Sequence, residues 1–299
     1  MPSAFLSHTF SENQQPTRVV ILGSGGFVGS ALMSVLKDHG VDVLGLTRQE
    51  LDLTAISAAQ KLTQLINTSD TLVFISAKAP CKDLAMLIDN AKMASAVCEA
   101  IKAKPVAHLI YVSSDAVYGD SLEPMNEASP AAPTSIHGVM HLMREVALQQ
   151  AYTGPLAIIR PTLIYGVADP HNGYGPNRFN RQASQGQSIT LFGEGEERRD
   201  HVLINDVAKL IYQMILRRSV GVINAVSGEV VSFKQLAQFS AHAFEPVVTI
   251  KDSIRVGPMP HDGYRAFDAS AIRKAFPQLQ FKSWQEGLTE VHVQMKQGK

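Results

Sequence analysis

Apolar residues along the chain follow two rhythms. Short, mainly apolar runs at 19–22, 41–46, 71–76, 108–113 and 156–160 have the form of strands covered on both faces. Between them, at 27–37, 84–102 and 137–150, apolar residues recur every three or four positions, as on amphipathic helices. In the last of these, Val139, Leu142, Met143, Val146 and Ala147 share one side. Strand and helix in regular alternation predict an α/β fold built on a doubly wound parallel sheet. Beyond residue 165 the alternation loosens. Helices are expected at 178–185, from Asn205 or Asp206 to 217, from Ser232 to 243, at 268–274 and at 283–295. Strands are expected at 188–192, 222–226 and, last, 247–250, with 201–204 extended. The expected division is a loose tail (1–17), a first domain (18–165) and a small C-terminal α/β lobe (166–299) interleaved with the sheet.

The turn after the first strand carries the earliest chemical signal. Gly23, Gly26 and Gly29 follow Val19–Leu22 directly and open a helix at Phe27 and Val28. A helix N-terminus presents free N–H groups and the positive end of its dipole, which suits an anion. Gly23 permits the tight turn, Gly26 lets a diphosphate approach the backbone, and Gly29 lets helix and strand pack closely. This makes 18–165 a dinucleotide-binding domain and leaves 166–299 as the substrate-binding lobe. The second strand ends in Thr47-Arg48, where an acidic residue would hold a ribose 2′-hydroxyl. An arginine there suits a 2′-phosphate, so the cofactor is read as NAD(P), leaning to NADP. Asp52 is either an adenine contact or the cap of a helix starting near Ala55. Lys78 is either a ligand contact or a solvated loop lysine.

The 299 residues carry 27 basic and 27 acidic side chains, a balance that points to neither nucleic acid nor an acidic membrane surface. No apolar run approaches membrane-spanning length. Cys81 and Cys98 are the only cysteines, which fits a reducing cytoplasm better than a disulfide framework.

Taken together, Gly23-x-x-Gly26-x-x-Gly29, Tyr111-Val-Ser-Ser-Asp-Ala-Val-Tyr-Gly119, Arg160-Pro-Thr-Leu-Ile-Tyr-Gly166 and Arg199-Asp200 resemble the extended short-chain dehydrogenase/reductases. That family includes nucleotide-sugar epimerases, dehydratases and reductases. Residues 46–53, with Asp52 and Leu53, and Ala77-Lys78 most resemble the NADP-using GDP-fucose synthase group. The resemblance implies that Ser114 hydrogen-bonds the reacting sugar oxygen and that Arg199 grips the sugar-nucleotide diphosphate. Arg265 or Arg255 would add a second grip. Asn177 would line the nucleotide pocket, and Tyr165 would end a strand facing the same cleft. Asp115 matches an aspartate of the sugar 4,6-dehydratases, but their following glutamate is Ala116 here, which argues against dehydration. A homodimer through helices 84–102 and 137–150 is also implied.

The family's Tyr-x-x-x-Lys pair is absent from the chain. His137 occupies the tyrosine place and His141 the lysine place. Either His137 replaces tyrosine as acid/base, titrating near neutral pH without a lysine, or the fold binds its ligands without turnover. Two histidines underfill a zinc shell, so no metal is expected. The reading is an atypical NAD(P)-dependent epimerase or reductase of a nucleotide-linked sugar. Its alternative is a catalytically silent NAD(P)-binding regulatory protein of the same fold.

Overall fold

The computed structural model describes residues 5–298. Its main sheet has seven strands: β1 (Ser7–His8), β2 (Val19–Leu22), β3 (Val43–Leu46), β4 (Thr71–Phe74), β5 (His108–Val112), β6 (Leu156–Pro161) and β10 (Ser219–Ala225). Their order is β1-β10-β6-β5-β4-β2-β3, and every pairing is parallel except that of β1 with β10. The expected doubly wound sheet is thus present. Its strand order reverses at β2, which has β3 on one side and β4 on the other. The carboxyl ends of the strands at such a point frame a ligand crevice.

Pleating sends alternate residues of β2 into two different cores. Val19 and Ile21 pack with Leu32 and Leu36 of α1 (Phe27–Asp38) and with Leu210 and Ile211 of α6 (Ile204–Leu216). Val20 and Leu22 pack with Leu62 of α2 (Ala58–Leu65), Val97 of α3 (Leu84–Ala103) and Leu148 of α4 (Ile136–Ala151).

The smaller lobe is assembled around β9 (Arg198–Leu203), flanked by β11 (Val230–Ser232) on one side and by β7 (Leu163–Tyr165) and β13 (Tyr264–Arg265) on the other. A separate pair joins β8 (Ile189–Phe192) to β12 (Ile250–Ser253). Phe179 of α5 (Pro176–Ser184), Leu236 of α7 (Phe233–Ala241) and Leu288 of α9 (Trp284–Lys296) fill its core. Between these elements the chain returns to the main sheet through α6 and β10, and α8 (Ser270–Ala275) packs on β10. No helix among the described residues is long and apolar enough to cross a membrane.

Three expectations are corrected. Residues 7–14 are not a loose tail: Ser7 and His8 pair along the outer edge of β10, and the amides of Thr9, Phe10 and Gln14 donate to the carbonyls of Arg218, Arg217 and Leu216 where the chain passes from α6 to β10. His8 adds hydrogen bonds to Ser219 Oγ and the Ala275 carbonyl, both at 2.9 Å. An apolar sheet edge left bare would expose unpaired backbone groups. The strand expected at 247–250 starts at Ile250 and runs to Ser253, because Val248 turns into the lobe core instead of joining a ladder, and β13 follows it as the last paired strand. Finally, α6 follows β9 without a capping loop. Leu203 is its N-cap, and Asp206 instead accepts the Lys282 amide at 2.9 Å.

Candidate active site

The turn from β2 into α1 is constrained at two glycines. Gly23 has φ +94°, and a Cβ there would lie 2.9 Å from the Ser76 amide nitrogen. A Cβ on Gly29 would lie 2.1 Å from the Gly23 carbonyl oxygen. The α1 N-cap is Gly26, with no side-chain cap and no acidic residue in the first turn. Its orphan N–H groups therefore face the crevice unsatisfied by side chains, which fits the diphosphate of a dinucleotide. Gly23, Gly26, Phe27 and Val28 line a cleft of about 1140 Å³ that continues past β3, β4 and β5 to the smaller lobe. Gly29 lies beneath it as packing.

At the end of β3, Thr47 donates its amide to the Glu50 carboxylate at 2.8 Å. Arg48 lines the cleft, with its side chain 70% exposed and 3.3 Å from Asp52. Asp52 also accepts from the Thr54 amide and hydroxyl at 2.9 and 2.6 Å. It closes a turn; it does not cap a helix at Ala55, because α2 starts only at Ala58. Leu53, Ala77 and Lys78 complete this wall, and Lys78 is ion-paired with Asp89.

Ser114, directly after β5, accepts the Ala116 amide at 3.1 Å, and its hydroxyl reaches Asp115 at 3.3 Å. Opposite it, at the start of α4, His137 lines the cleft. Its Nδ1 accepts the backbone N–H of Cys81 at 3.2 Å. Only an unprotonated Nδ1 can do so, and burial pushes this imidazole below its ordinary pKa. The near-neutral titration expected of His137 is therefore displaced toward acid. His141 is not a cleft residue. It is buried one turn below, with Nδ1 2.8 Å from Tyr111 Oη, and burial holds it well below the usual histidine range.

A buried network sets the pose of α4. Arg160 of β6 makes a two-pronged pair with Glu145, at 3.0 and 2.6 Å. Ser113 donates to the same carboxylate at 2.5 Å. Helix and strand ends are thereby locked in register, which places Ser114 and His137 on the same cleft.

The substrate end carries two arginines on neighbouring strands, since Arg265 of β13 pairs with Arg199 of β9. Arg199 lines the cleft and donates to Glu197 at 2.5 Å. Arg265 is buried and committed to Asp115, with Nε 2.9 Å from its carboxylate and Nη2 2.5 Å from its carbonyl. Three other expected substrate residues lie outside the cleft, among them Arg255, which donates to the Phe192 carbonyl at 2.9 Å. Asn177 spends its amide oxygen on the Gly166 N–H at 2.9 Å, shaping the turn after β7. Tyr165 is buried against Gly287 of α9, and burial drives its phenol far above 10. Residues to which the motifs assigned no role are His261, which lines the cleft and is hydrogen-bonded to Asp120, together with Glu50, the Cys81 amide, Tyr111 and Arg144. Spatial proximity alone brings all of them but Arg144 to the site; Arg144 is carried there on the helical face of His137 and His141.

The profile of the NAD dependent epimerase/dehydratase family matches residues 19–226. The chain belongs to that family. This bears out the motif resemblance to extended short-chain dehydrogenase/reductases. A Bacillus subtilis relative described as the uncharacterized UDP-glucose epimerase YtcB is 24% identical over 225 residues, 64% of this chain and 70% of that one. Among solved structures, a GDP-L-fucose synthetase from Naegleria fowleri superposes with TM-score 0.84 at 16% identity, covering 97% of this chain and 98% of that one. A UDP-glucose 4-epimerase from Thermotoga maritima, solved with UDP-glucose, gives 0.83 at 18% identity over 94% and 99%. A UDP-glucose 4-epimerase from Thermus thermophilus, solved with NAD, gives 0.80 at 21% over 93% and 99%. At these identities the superpositions establish the fold.

Proposed function

We propose that this epimerase/dehydratase-family chain is an NAD(P)-dependent enzyme acting on a nucleotide-linked sugar, by epimerisation or ketone reduction. The observation that carries the reading is one continuous cleft. The uncapped glycine turn lies at one end of it, Arg199 at the other, and Ser114 faces His137 between them. Gly23, Gly26 and the first amides of α1 would hold the dinucleotide diphosphate, and Leu53 and Ala77 its adenine end. When bound, the nicotinamide supplies or accepts a hydride at a sugar carbon. Ser114 and His137 then flank the sugar oxygen on which charge develops, where preorganised donors stabilise it. Arg199, with Arg265 behind it, would face the diphosphate of the substrate. NADP is the proposed preference, because Arg48 is exposed at the β3 end and its long contact with Asp52 is easily redirected to a phosphate. A second copy of the chain would cover Leu84, Ile88, Val139 and Val146, exposed on the adjoining helices α3 and α4, and a monomer in sedimentation would remove that assembly. With both thiols free, the cytoplasm is the proposed setting.

The second reading, ligand binding without turnover, draws on the burial of His141 away from the cleft. Calorimetry and a turnover assay separate the two. The enzyme reading expects NADPH to bind at least tenfold tighter than NADH, loss of that preference in Arg48→Ala, and hydride exchange with a UDP- or GDP-sugar. Equal NADH binding rejects the NADP assignment, and dinucleotide binding with no exchange on any nucleotide sugar leaves the silent binder.

A further inference from the structure

Arg144 is fully buried, yet none of its contacts is a carboxylate. It donates to the Ser76 carbonyl at 2.8 Å, to the Asn90 carbonyl and side-chain oxygen at 3.1 and 2.7 Å, and it lies 4.9 Å over the Phe74 ring. A buried guanidinium with only neutral partners among the described residues carries an uncompensated charge, which a fold bears at considerable cost. Its position is specific. His137, His141 and Arg144 are spaced i, i+4 and i+7 and so share one face of α4. The Arg144 charge also acts on the phenol of Tyr111 beside it. Tyr111 Oη and His141 Nδ1 are 2.8 Å apart, and the positive Arg144 turns the phenol hydrogen away from itself, so the O–H donates to His141 Nδ1. His141 in turn packs edge-on against His137, with ring centroids 4.7 Å apart.

Resting on the proposed function, we infer that Arg144 and Tyr111 are positioning residues that supply the support a lysine at position 141 would give. His137 then works as a neutral hydrogen-bond donor through Nε2–H and not as the proton carrier. The geometry sets the tautomer from two sides. The Cys81 amide occupies His137 Nδ1, and Nε2, with no protein partner among the described residues, is the nitrogen left for a ligand. The charged and titratable groups facing His137 are Asp115 after β5, Cys81 before α3, and His141 and Arg144 on its own helix. Asp115 favours the imidazolium, but it is already committed to Arg265. Burial and Arg144 oppose it at both histidines. A neutral imidazole donating a hydrogen bond polarises a sugar carbonyl or holds a sugar hydroxyl without exchanging its own proton. The proton that balances hydride transfer is then exchanged between the sugar oxygen and water.

Long-range ¹H–¹⁵N correlation on the full chain labelled at histidine reads this without turnover, so it stands apart from the test of the enzyme reading. In the wild type, His137 and His141 are expected as Nε2–H tautomers that protonate only below the ordinary histidine range. Arg144→Met removes the charge, and the His137 midpoint is expected to rise by about one pH unit; Arg144→Lys restores it. Tyr111→Phe leaves the charge in place and frees His141 Nδ1, so the His141 tautomer alone is expected to change. If Arg144→Met fails to fold, the wild-type titration and Tyr111→Phe decide the matter. In turnover, His137→Gln, which keeps a neutral N–H donor, is expected to retain about a tenth of the rate and His137→Phe a hundredth or less. The inference is overturned by a wild-type His137 titrating near its ordinary value, by an Nδ1–H tautomer, by a folded Arg144→Met that moves neither histidine, or by Gln and Phe being equally inactive.

Discussion

Each of four basic side chains at the cleft meets a carboxylate: Arg48 with Asp52, Lys78 with Asp89, Arg199 with Glu197, and Arg265 with Asp115. The pairs differ in how readily a ligand can take the cation. Arg48 is solvated, and exposed pairs hold each other weakly. Arg265 is buried, and breaking its pair would strand a charge. Arg199 lies between these extremes, reaching the cleft while Glu197 behind it is almost fully buried. Arg199→Ala is therefore expected to weaken nucleotide-sugar binding by roughly 1.5–3 kcal/mol, the worth of a charge-assisted phosphate contact. Dinucleotide binding should be unchanged, as calorimetry with each ligand would show. Because the same change removes the nearer of Glu197's two cationic partners, leaving Arg255 at 4.0 Å, Arg199→Lys is the control for charge. Unchanged sugar-nucleotide affinity in Arg199→Ala would make the arginine a structural partner of Glu197 alone.

Helix ends and faces do much of the positioning. At the N-terminus of α1 the close contact of Gly29 with the Gly23 carbonyl brings free amides to the cleft, and no side chain fits between them. Gly29→Ala is expected to cost roughly 3 kcal/mol, at the upper end of overpacking, and to abolish dinucleotide binding. Gly40, just after α1, provides the contrast: its φ is +66° and a Cβ there meets nothing within 4 Å. Gly40→Ala should cost only about 1–2 kcal/mol of left-handed strain and leave binding intact. Denaturant midpoints with calorimetry compare the two, and equal effects on binding would remove the special role given to Gly29. On α4 the decisive feature is a face. The residues that build the cleft wall and its support share that face, while Val139 and Val146 remain exposed elsewhere on the helix.

At the scale of the whole molecule, several histidines are buried as neutral rings, in both the sheet and the smaller lobe. Burial lowers His108 to about 4, His201 to about 3 and His292 to about 4. Their folded values lie below the unfolded value of about 6.5, so between these limits the unfolded chain binds more protons. Stability is then fully present above about pH 6.5 and falls as pH drops toward 4, by up to about 1.4 kcal/mol per pH unit for each histidine. Urea midpoints are expected to be flat from about pH 7 to 8 and clearly lower at pH 5. Asp200, raised to about 7 by burial, pulls the other way over the same range. The contribution of the rings is therefore read as the difference between wild type and histidine variants, and an unchanged slope in those variants would contradict the buried neutral rings. His108→Gln should soften the pH slope, because its ring hydrogen-bonds the Ser219 carbonyl at 2.8 Å in the interior and titrates only on unfolding.

The order of strands and helices from Val19 to Arg160 was legible in the chain because each strand there is apolar on both faces and each helix has one apolar stripe. Those patterns depend on local spacing alone. The glycine turn was legible for a related reason: backbone room between two adjacent elements is specified by neighbouring residues. Ser114 and His137 could be placed by motif, since each directly follows or opens an element. Tertiary structure decided the rest. It pinned residues 7–8 to β10, a strand some two hundred positions away. It turned Tyr165 and Asn177 inward and spent Arg265 on Asp115. It also set the protonation of His137 through a backbone amide from another loop and a buried arginine two turns along α4. Burial, counter-ions and hydrogen-bond partners belong to the packed chain, and they govern charge state and reach in a way residue identity and spacing do not encode.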